Sequence, residues 1–558
     1  MPRSRFFRIE IRGVHGAAVL LAFLSAANSV LALFRDRLLA SSFGASRELD
    51  IYYAAFRVPD AIFSLSLFLV ASTAFIPIFV ETRATSSKRA RDFFDSVISA
   101  FLIGICIVGI IAFIAMPRLA NIVVPGFSEA DRLRVAELSR MLLLSPIFLG
   151  LSSIFSAVVQ ASNKFLSFAF APILYNLGII LGVMFLLPNL GLPGLALGVV
   201  IGAFAHMAVQ VPTLARVGTL PRLRMDGVEE LGKLVRYSFP RATALSFNQL
   251  TILVLTAFAS LLGAGSIAIF NLSQNLSFLP LTVIALSYST AAFPTMVELA
   301  LQKDKKIFFD HLVFATRSIL FWTLPIFGLF LVFRAHLVRL VLGAGAFAWL
   351  DTHLTTASLL LFSYAIVTQS LVTLFVRAYY ALGRVREPVL YSAISTLVTI
   401  IVALTGVLLV EKSIYVKQIF GFFVRLRIEA DIAFLSLPLA YSVGAFVNAI
   451  LLGAGLISLN GKEPLRELAR SIAPIAIVAC GVSVSGFIAL KALGPYFALE
   501  SFLSVLLQAG IAAGVALAVG VVLCIVLRVR EFEELLEAFR ARRRVPSRDV
   551  LQPDVEHL

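Results

Sequence analysis

Long apolar runs alternate with short polar breaks along almost the whole chain. A run of roughly 18 or more apolar residues is long enough, as a helix, to cross a hydrocarbon core of about 30 Å. The pattern predicts fourteen such spans, near 14–34, 51–80, 93–116, 135–161, 165–187, 191–215, 234–262, 265–300, 311–334, 355–382, 388–410, 433–458, 468–491 and 502–527. Apolar positions within them are continuous rather than alternating, which excludes a transmembrane barrel and predicts an all-α polytopic membrane protein. The eighth run is long enough to hold a kink at Pro280, with Pro294 expected near its end.

Composition agrees with the pattern. Of 558 residues 59% are hydrophobic and 14% charged, against about 25% charged in soluble domains. The net charge of +15 is spread over short breaks and the two ends, so membrane topology accounts for it and no nucleic-acid partner is expected. With both termini inside, segments such as 83–91, 216–236, 303–306, 384–386 and 462–470 fall inside. They give that side roughly twice the basic residues of the other. Segment 411–431 dissents, being basic, aromatic and outside, and it reads as an amphipathic helix lying in the interface. Cys106, Cys480 and Cys524 lie in apolar runs without metal or disulfide spacing and read as small buried hydrophobes. The basic N-terminus leads into a run too long for a signal peptide, so a retained first span is expected.

The chain echoes itself. AFAPILYNLGII (169–180) returns as VREPVLYSAIST (385–396), and GVVIGAFAHMAVQ (198–210) as AYSVGAFVNAILL (440–452). Both echoes fall in the fifth and sixth spans of successive six-span blocks, a parallel repeat of the kind that encloses a central site and works by alternating access. The expected division is a first lobe over 1–230, a second over 231–460, two further spans over 461–530, and a basic inside tail over 531–558. A two-lobe repeat completes a transport unit, so a monomer is expected.

No phosphate loop, zinc-spaced cluster, nucleophile elbow or nucleotide-binding motif is present. No enzyme and no cofactor are expected, and transport would draw on the membrane potential, an ion gradient or the substrate gradient. The candidate chemistry is therefore polar groups within spans, which are costly there and face a cavity or a partner. These are Arg35, Asp36, Asp50, Arg57 and Asp60 around spans 1 and 2, Arg241 after Pro240, and the amide cluster Asn271, Gln274 and Asn275 in NLSQNLS. Three amides and two hydroxyls in two turns exceed one packing contact and read as a cavity wall. Asn176 and Asn448 read instead as ordinary interhelical contacts, worth under about 1 kcal/mol. Histidines such as His206 read as interfacial.

RDRLLASSFGASRELDIYYAAFRVPD, STAFIPIF, VVPGFS, NKFLSFAFAPILYN and VRAYYALGRVREPV, in that order and spacing, resemble the MurJ/MviN family of lipid II flippases in the multidrug/oligosaccharidyl-lipid/polysaccharide exporter superfamily. The resemblance runs from about Asn28 to about Gly453. It implies two six-helix lobes in a V, two extra helices forming a lipid-tail groove, and passage of an undecaprenyl-pyrophosphate-linked peptidoglycan precursor across the bacterial cytoplasmic membrane. It also implies membrane lipids and cell-wall synthesis proteins as partners. Arg35 and Asp36 occupy the family's Arg-Asp after span 1, Asp50 its Asp at the start of span 2, and Arg57 its basic site before the Leu/Val-Pro pair. Pyrophosphate needs countercharge, and arginine holds it through paired charge-assisted hydrogen bonds. Arg35, Arg57 and Arg241 would bind it, with Asp50 and Asp60 balancing or gating them. The chain departs from the family pattern at Ser29 and at Asn275, where the family has arginines. It departs also at Phe63 and Ser64, where the family has a basic pair, and at Phe68 and Leu69, where it has Glu and Gly. The reduced cavity charge leaves two other readings open, an exporter of another lipid-linked saccharide or amphiphile and a non-transporting scaffold in cell-wall synthesis.

Overall fold

The computed structural model describes the backbone of residues 14–544 apart from 71, 163, 303–304, 425–431, 461–462 and 498–500. Side chains are described over the same range except at 14–22, 67–70, 72–74, 165, 228, 237–246, 423–424, 460, 463–471 and 538–544. No strand occurs among the described residues. Fourteen helical rods follow one another, up and down. They are α1 (Val14–Phe43), α2 (Arg47–Ala55, Arg57–Val70 and Ser72–Thr85 in succession), α3 (Ser87–Val123) and α4 (Glu129–Ala161). Next come α5 (Leu166–Leu190), α6 (Leu192–Val217), α7 (Val228–Ser260), α8 (Ser266–Leu301) and α9 (Lys305–Val341). Last are α10 (Trp349–Ala381), α11 (Arg386–Lys412), α12 (Ala433–Leu459), α13 (Glu463–Leu493) and α14 (Phe502–Val526). Eleven of them, α3 to α6 and α8 to α14, are long and apolar enough to cross a membrane, counted over the described residues. A final helix, α15 (Arg530–Arg544), follows α14. The side on which α1 begins and α14 ends is called here the terminal face; the other is the distal face.

Local chemistry sets where the rods begin. Ser46, Ser86, Ser128 and Ser501 each accept a hydrogen bond from a backbone N–H three residues on, capping α2, α3, α4 and α14. These caps lie in polar sequence, so α3 starts at Ser87 rather than near residue 93, where the apolar run begins. Pro280 does mark an irregularity: the turn after it, Leu281–Ala285, widens into a π-helix. Pro294 lies two turns before the end of α8 at Leu301, near the end as expected.

Among the first six rods the main packing is α5 on α6, α2 on α4 and α4 on α6, with α1 lying on α5. Gly178 and Gly182 of α5 lie directly against Gly198 and Gly202 of α6, and a methyl group on any of them would strike backbone. Such close approach is how helices gain contact energy in lipid, where burial of apolar surface gives none. Among the second six, α12 packs on α10 and α11, α8 on α10, and α7 on α11. The last two spans join through α9: α13 packs on α9 and α14, and Gln508 of α14 donates to Leu490 O at 3.2 Å and meets His336 Nε2 of α9 at 3.2 Å. The lobes meet chiefly along α2 and α7.

One sequence expectation changes. Cys106 and Cys480 are exposed on the outer faces of α3 and α13, and only Cys524 is buried. In a membrane protein the outward face is as apolar as the inside, so an apolar run does not say which residues are covered. Segment 411–431 forms a helix over Ile414–Val424 with Tyr415, Ile419 and Phe422 exposed, and residues 425–431 lie outside the described ones.

Candidate functional site

The charged residues of the first two spans lie at the seam between the lobes. Arg35 places Nε and Nη2 on Asp36 Oδ1 at 2.9 and 2.7 Å. Its Nη1 donates to Asn176 Oδ1 at 3.0 Å, and Asn176 Nδ2 donates to Asn28 Oδ1 at 2.9 Å. Asn275 Nδ2 of α8 donates to Asp36 Oδ2 at 3.0 Å. Asp36 is 2% exposed, with both oxygens bonded. A buried ion pair is tolerable only when its remaining polar groups are bonded in this way. Asn176 is thus more than a packing contact: it continues the polar chain from Arg35 to Asn28. Asn275, at a place where the resemblance implies arginine, supplies a neutral donor to the same carboxylate.

Arg57 opens the second segment of α2, after the helix breaks at Phe56. Its Nη2 donates to Asn271 Oδ1 of α8 at 2.6 Å, and Asn271 Nδ2 is held by Ile267 O at 2.7 Å. The Nε of Arg57 is enclosed without a hydrogen-bond partner. The carboxylate of Asp60, one turn on, makes no hydrogen bond or ion pair among the described residues, although it lies within electrostatic reach of Arg57. Gln274 is buried, and its Nε2 also has no partner. Of the NLSQNLS cluster, Asn271 and Asn275 reach across to the first lobe. The side chain of Arg241 lies outside the described residues.

Helix ends close the seam at the distal face. Asp50, 1% exposed, accepts from Gly265 N at 2.7 Å and Ala268 N at 2.8 Å, so an acid of the first lobe caps α8 of the second. Asp351 of α10 accepts from Ala348 N at 2.9 Å and, across the seam, from Ala45 N at 3.1 Å. Arg37 donates to Leu340 O, at the end of α9, at 2.7 Å, and Ala346 N donates to Ser41 O at 2.8 Å. Gly265 and Gly345 both have positive φ, and a side chain on either would strike Ala45 O or Ser41 O across the seam.

A further large concavity lies elsewhere, inside the second lobe between α7, α8, α10, α11 and α12. It has a volume of about 550 Å³. Asn248, Gln369, Asn448, Tyr380, Tyr441 and Arg377 are among its walls. Arg377 Nη1 donates to Thr290 Oγ1 at 2.7 Å and to Leu286 O at 3.4 Å, both neutral. Sequence reasoning missed Arg377, although it lies inside the predicted span 355–382, and the rule that selected Arg57 would have selected it. It also missed Arg317 of α9, whose Nη2 lies 2.6 Å from Glu531 Oε1 of α15, with the two side chains 10% and 7% exposed. His206 is not interfacial: its Nδ1 meets Ser152 Oγ at 2.7 Å inside the first lobe.

The family model described as lipid II flippase MurJ matches residues 39–508. Curated relatives include the lipid II flippase MurJ of Burkholderia cenocepacia, 26% identical over 445 residues, covering 76% of this chain and 80% of that protein. The probable lipid II flippase MurJ of Vibrio cholerae is 23% identical over 454 residues, covering 79% and 82%. Among solved structures, a lipid II flippase MurJ in an inward closed conformation aligns with a TM-score of 0.70 at 22% identity, over 91% of this chain and 99% of that one. A multidrug resistance MATE family transporter of the MOP superfamily, in its inward-facing conformation, aligns with a TM-score of 0.61 at 14% identity, over 78% and 96%. The sequence match spans most of the fourteen rods, and this multi-pass membrane protein belongs to the MurJ family.

Proposed function

We propose that the chain is a flippase carrying lipid II, an undecaprenyl-pyrophosphate-linked peptidoglycan precursor, across the bacterial cytoplasmic membrane by alternating access. The observation that carries this reading is the family match over residues 39–508, which takes in the α2–α8 seam where Arg57 meets Asn271. In this reading both chain ends are cytoplasmic, so the closed distal face is the outer one. The lobes are 1–230 and 231–460, the prenyl tail runs along 461–530, and 531–558 is a basic cytoplasmic tail. The unit is a monomer without a cofactor, driven by the membrane potential or an ion gradient.

Arg57 and Arg35 differ in readiness. Arg57 has one neutral partner and an unused Nε, so a pyrophosphate oxygen can bind it at the expense of a single bond to Asn271. Arg35 is held by Asp36 and Asn176, and must exchange an ion pair before it can hold substrate. Asp60 stands beside Arg57 as a carboxylate that balances the guanidinium when substrate is absent. The scaffold reading expected a closed, apolar cavity; the amides and Arg377 of the second lobe speak against it.

The test is complementation in cells depleted of their own lipid II flippase. The wild-type chain is expected to restore growth and labelling of outer-leaflet lipid II. Arg57→Ala is expected to lose it. Failure of the wild type, with the protein present in the membrane, would overturn the reading and favour export of another amphiphile.

A further inference from the structure

We propose that the chamber inside the second lobe is the subsite for the saccharide of the carried headgroup, and that it selects an acidic, amide-bearing sugar over a bare prenyl pyrophosphate. This rests on the flippase reading and says which part of that substrate goes where.

The chamber's charge and its unpaired groups favour one class of ligand. Its volume of about 550 Å³ is within the roughly 300–1,000 Å³ of small-molecule sites, and too small for the whole precursor. Among the described residues no carboxylate is in its walls, and Arg377 is, so an inorganic cation or a cationic drug finds no counter-charge among them. A prenyl chain would leave the enclosed Asn448 Oδ1 without a partner, and an enclosed polar group left unpaired costs about 1–3 kcal/mol. What the walls offer is a mixed set of donors and acceptors converging from several helices. Asn248 comes from α7, Gln369 and Tyr380 from α10, and Asn448 from α12, with Ser392 and Thr396 from α11. Amides and hydroxyls both give and accept hydrogen bonds, which matches the hydroxyls and acetamido groups of an amino sugar.

Two atoms point to a missing partner. Asn448 Oδ1 is enclosed and has no hydrogen-bond partner; a sugar hydroxyl or an acetamido N–H would supply the donor. Arg377, half-buried, is bound only to the neutral Thr290 Oγ1 and Leu286 O. A cation so placed wants an anion, and an acidic substituent on the saccharide or its peptide supplies one. Gln369 is already oriented, because its Nε2 donates to Tyr441 Oη at 3.1 Å. The chamber is therefore built before the ligand arrives.

The experiment measures binding to the full chain in lipid nanodiscs with two probes that share an anchor, lipid II and undecaprenyl pyrophosphate without sugar. Wild type is expected to bind lipid II more tightly. Asn448→Leu and Arg377→Gln are each expected to weaken lipid II about tenfold, or roughly 1.4 kcal/mol, and to leave undecaprenyl pyrophosphate within about twofold. Equal affinity of wild type for the two probes, or equal loss of both in the variants, overturns the proposal while leaving the flippase reading in place. Binding of neither probe by wild type overturns that reading, and this one with it. The melting temperature of each variant shows that it is folded, and Arg377→Gln carries the comparison alone if Asn448→Leu does not fold.

Discussion

Arg35 and Asp36 are neighbours in sequence and form one ion pair, yet their values to the protein differ. Removing Arg35 leaves the buried Asp36 carboxylate with one oxygen bonded only by Asn275. Breaking a buried pair on one side typically costs about 3–5 kcal/mol. Arg35→Ala is therefore expected to lower the melting temperature clearly, and Arg35→Ala with Asp36→Asn to recover most of it. Outer-leaflet labelling in the double variant separates the stabilising role of Arg35 from its transport role: recovered stability without recovered transport is the expected result. Arg57→Ala should be gentler on the fold, since it removes one bond to a neutral amide. The four charges Arg35, Asp36, Asp50 and Arg57 were legible in the sequence because ionisable groups near apolar runs are costly. Their partners were not. Asn275 and Asn176 are 239 and 141 residues from the groups they hold, and nothing local distinguishes an amide that bridges lobes from one that joins two helices. Asn448 was misread for the same reason: its unpaired oxygen is a property of the chamber, not of its neighbours in sequence.

At the scale of elements, α8 carries much of the communication between lobes. Its first turn is capped by Asp50, its second and third turns meet Arg57 and Asp36 through Asn271 and Asn275, and its π-turn follows Pro280. Losing an N-cap costs about 0.5–2 kcal/mol, and here the loss falls on the closed state, because donor and acceptor belong to different lobes. Asp50→Ala is expected to raise the labelling of a cysteine placed at Ala45 by a membrane-impermeant maleimide. Unchanged labelling would mean that the cap serves α8 alone. Helix α15 is the second telling element. Its anchor was not legible in the sequence, since the Arg317 that receives Glu531 lies in another span. Arg317→Ala is expected to destabilise the protein by about 3–5 kcal/mol, and Arg317→Met with Glu531→Met to restore it. Melting temperatures of the two singles and the double form the cycle that checks this.

For the whole molecule, the distal face is closed by backbone as much as by side chains. Ser41 O and Ala346 N meet at 2.8 Å, so cysteines at Ser41 and Ala346, in a background free of the native three, are expected to cross-link on oxidation. The cross-link should stop flipping, and reduction should restore it; transport through the cross-linked protein would show that the lobes do not part there. The two-lobe plan was legible in the repeated fifth and sixth spans. The closure was not, because glycines such as Gly265 and Gly345 look like ordinary turn residues until the opposite lobe lies against them. One contact also bears on how the protein is made. Arg317 precedes Glu531 by 214 residues, and ribosomes add roughly 5–20 residues per second. For on the order of ten to forty seconds, α9 must wait in the membrane with a cation whose counter-ion has not been translated. A helix that leaves the ribosome late thus completes the fold of a span made long before it. A chain that stops short of Glu531 leaves that charge uncovered, in a form that membrane quality control can recognise.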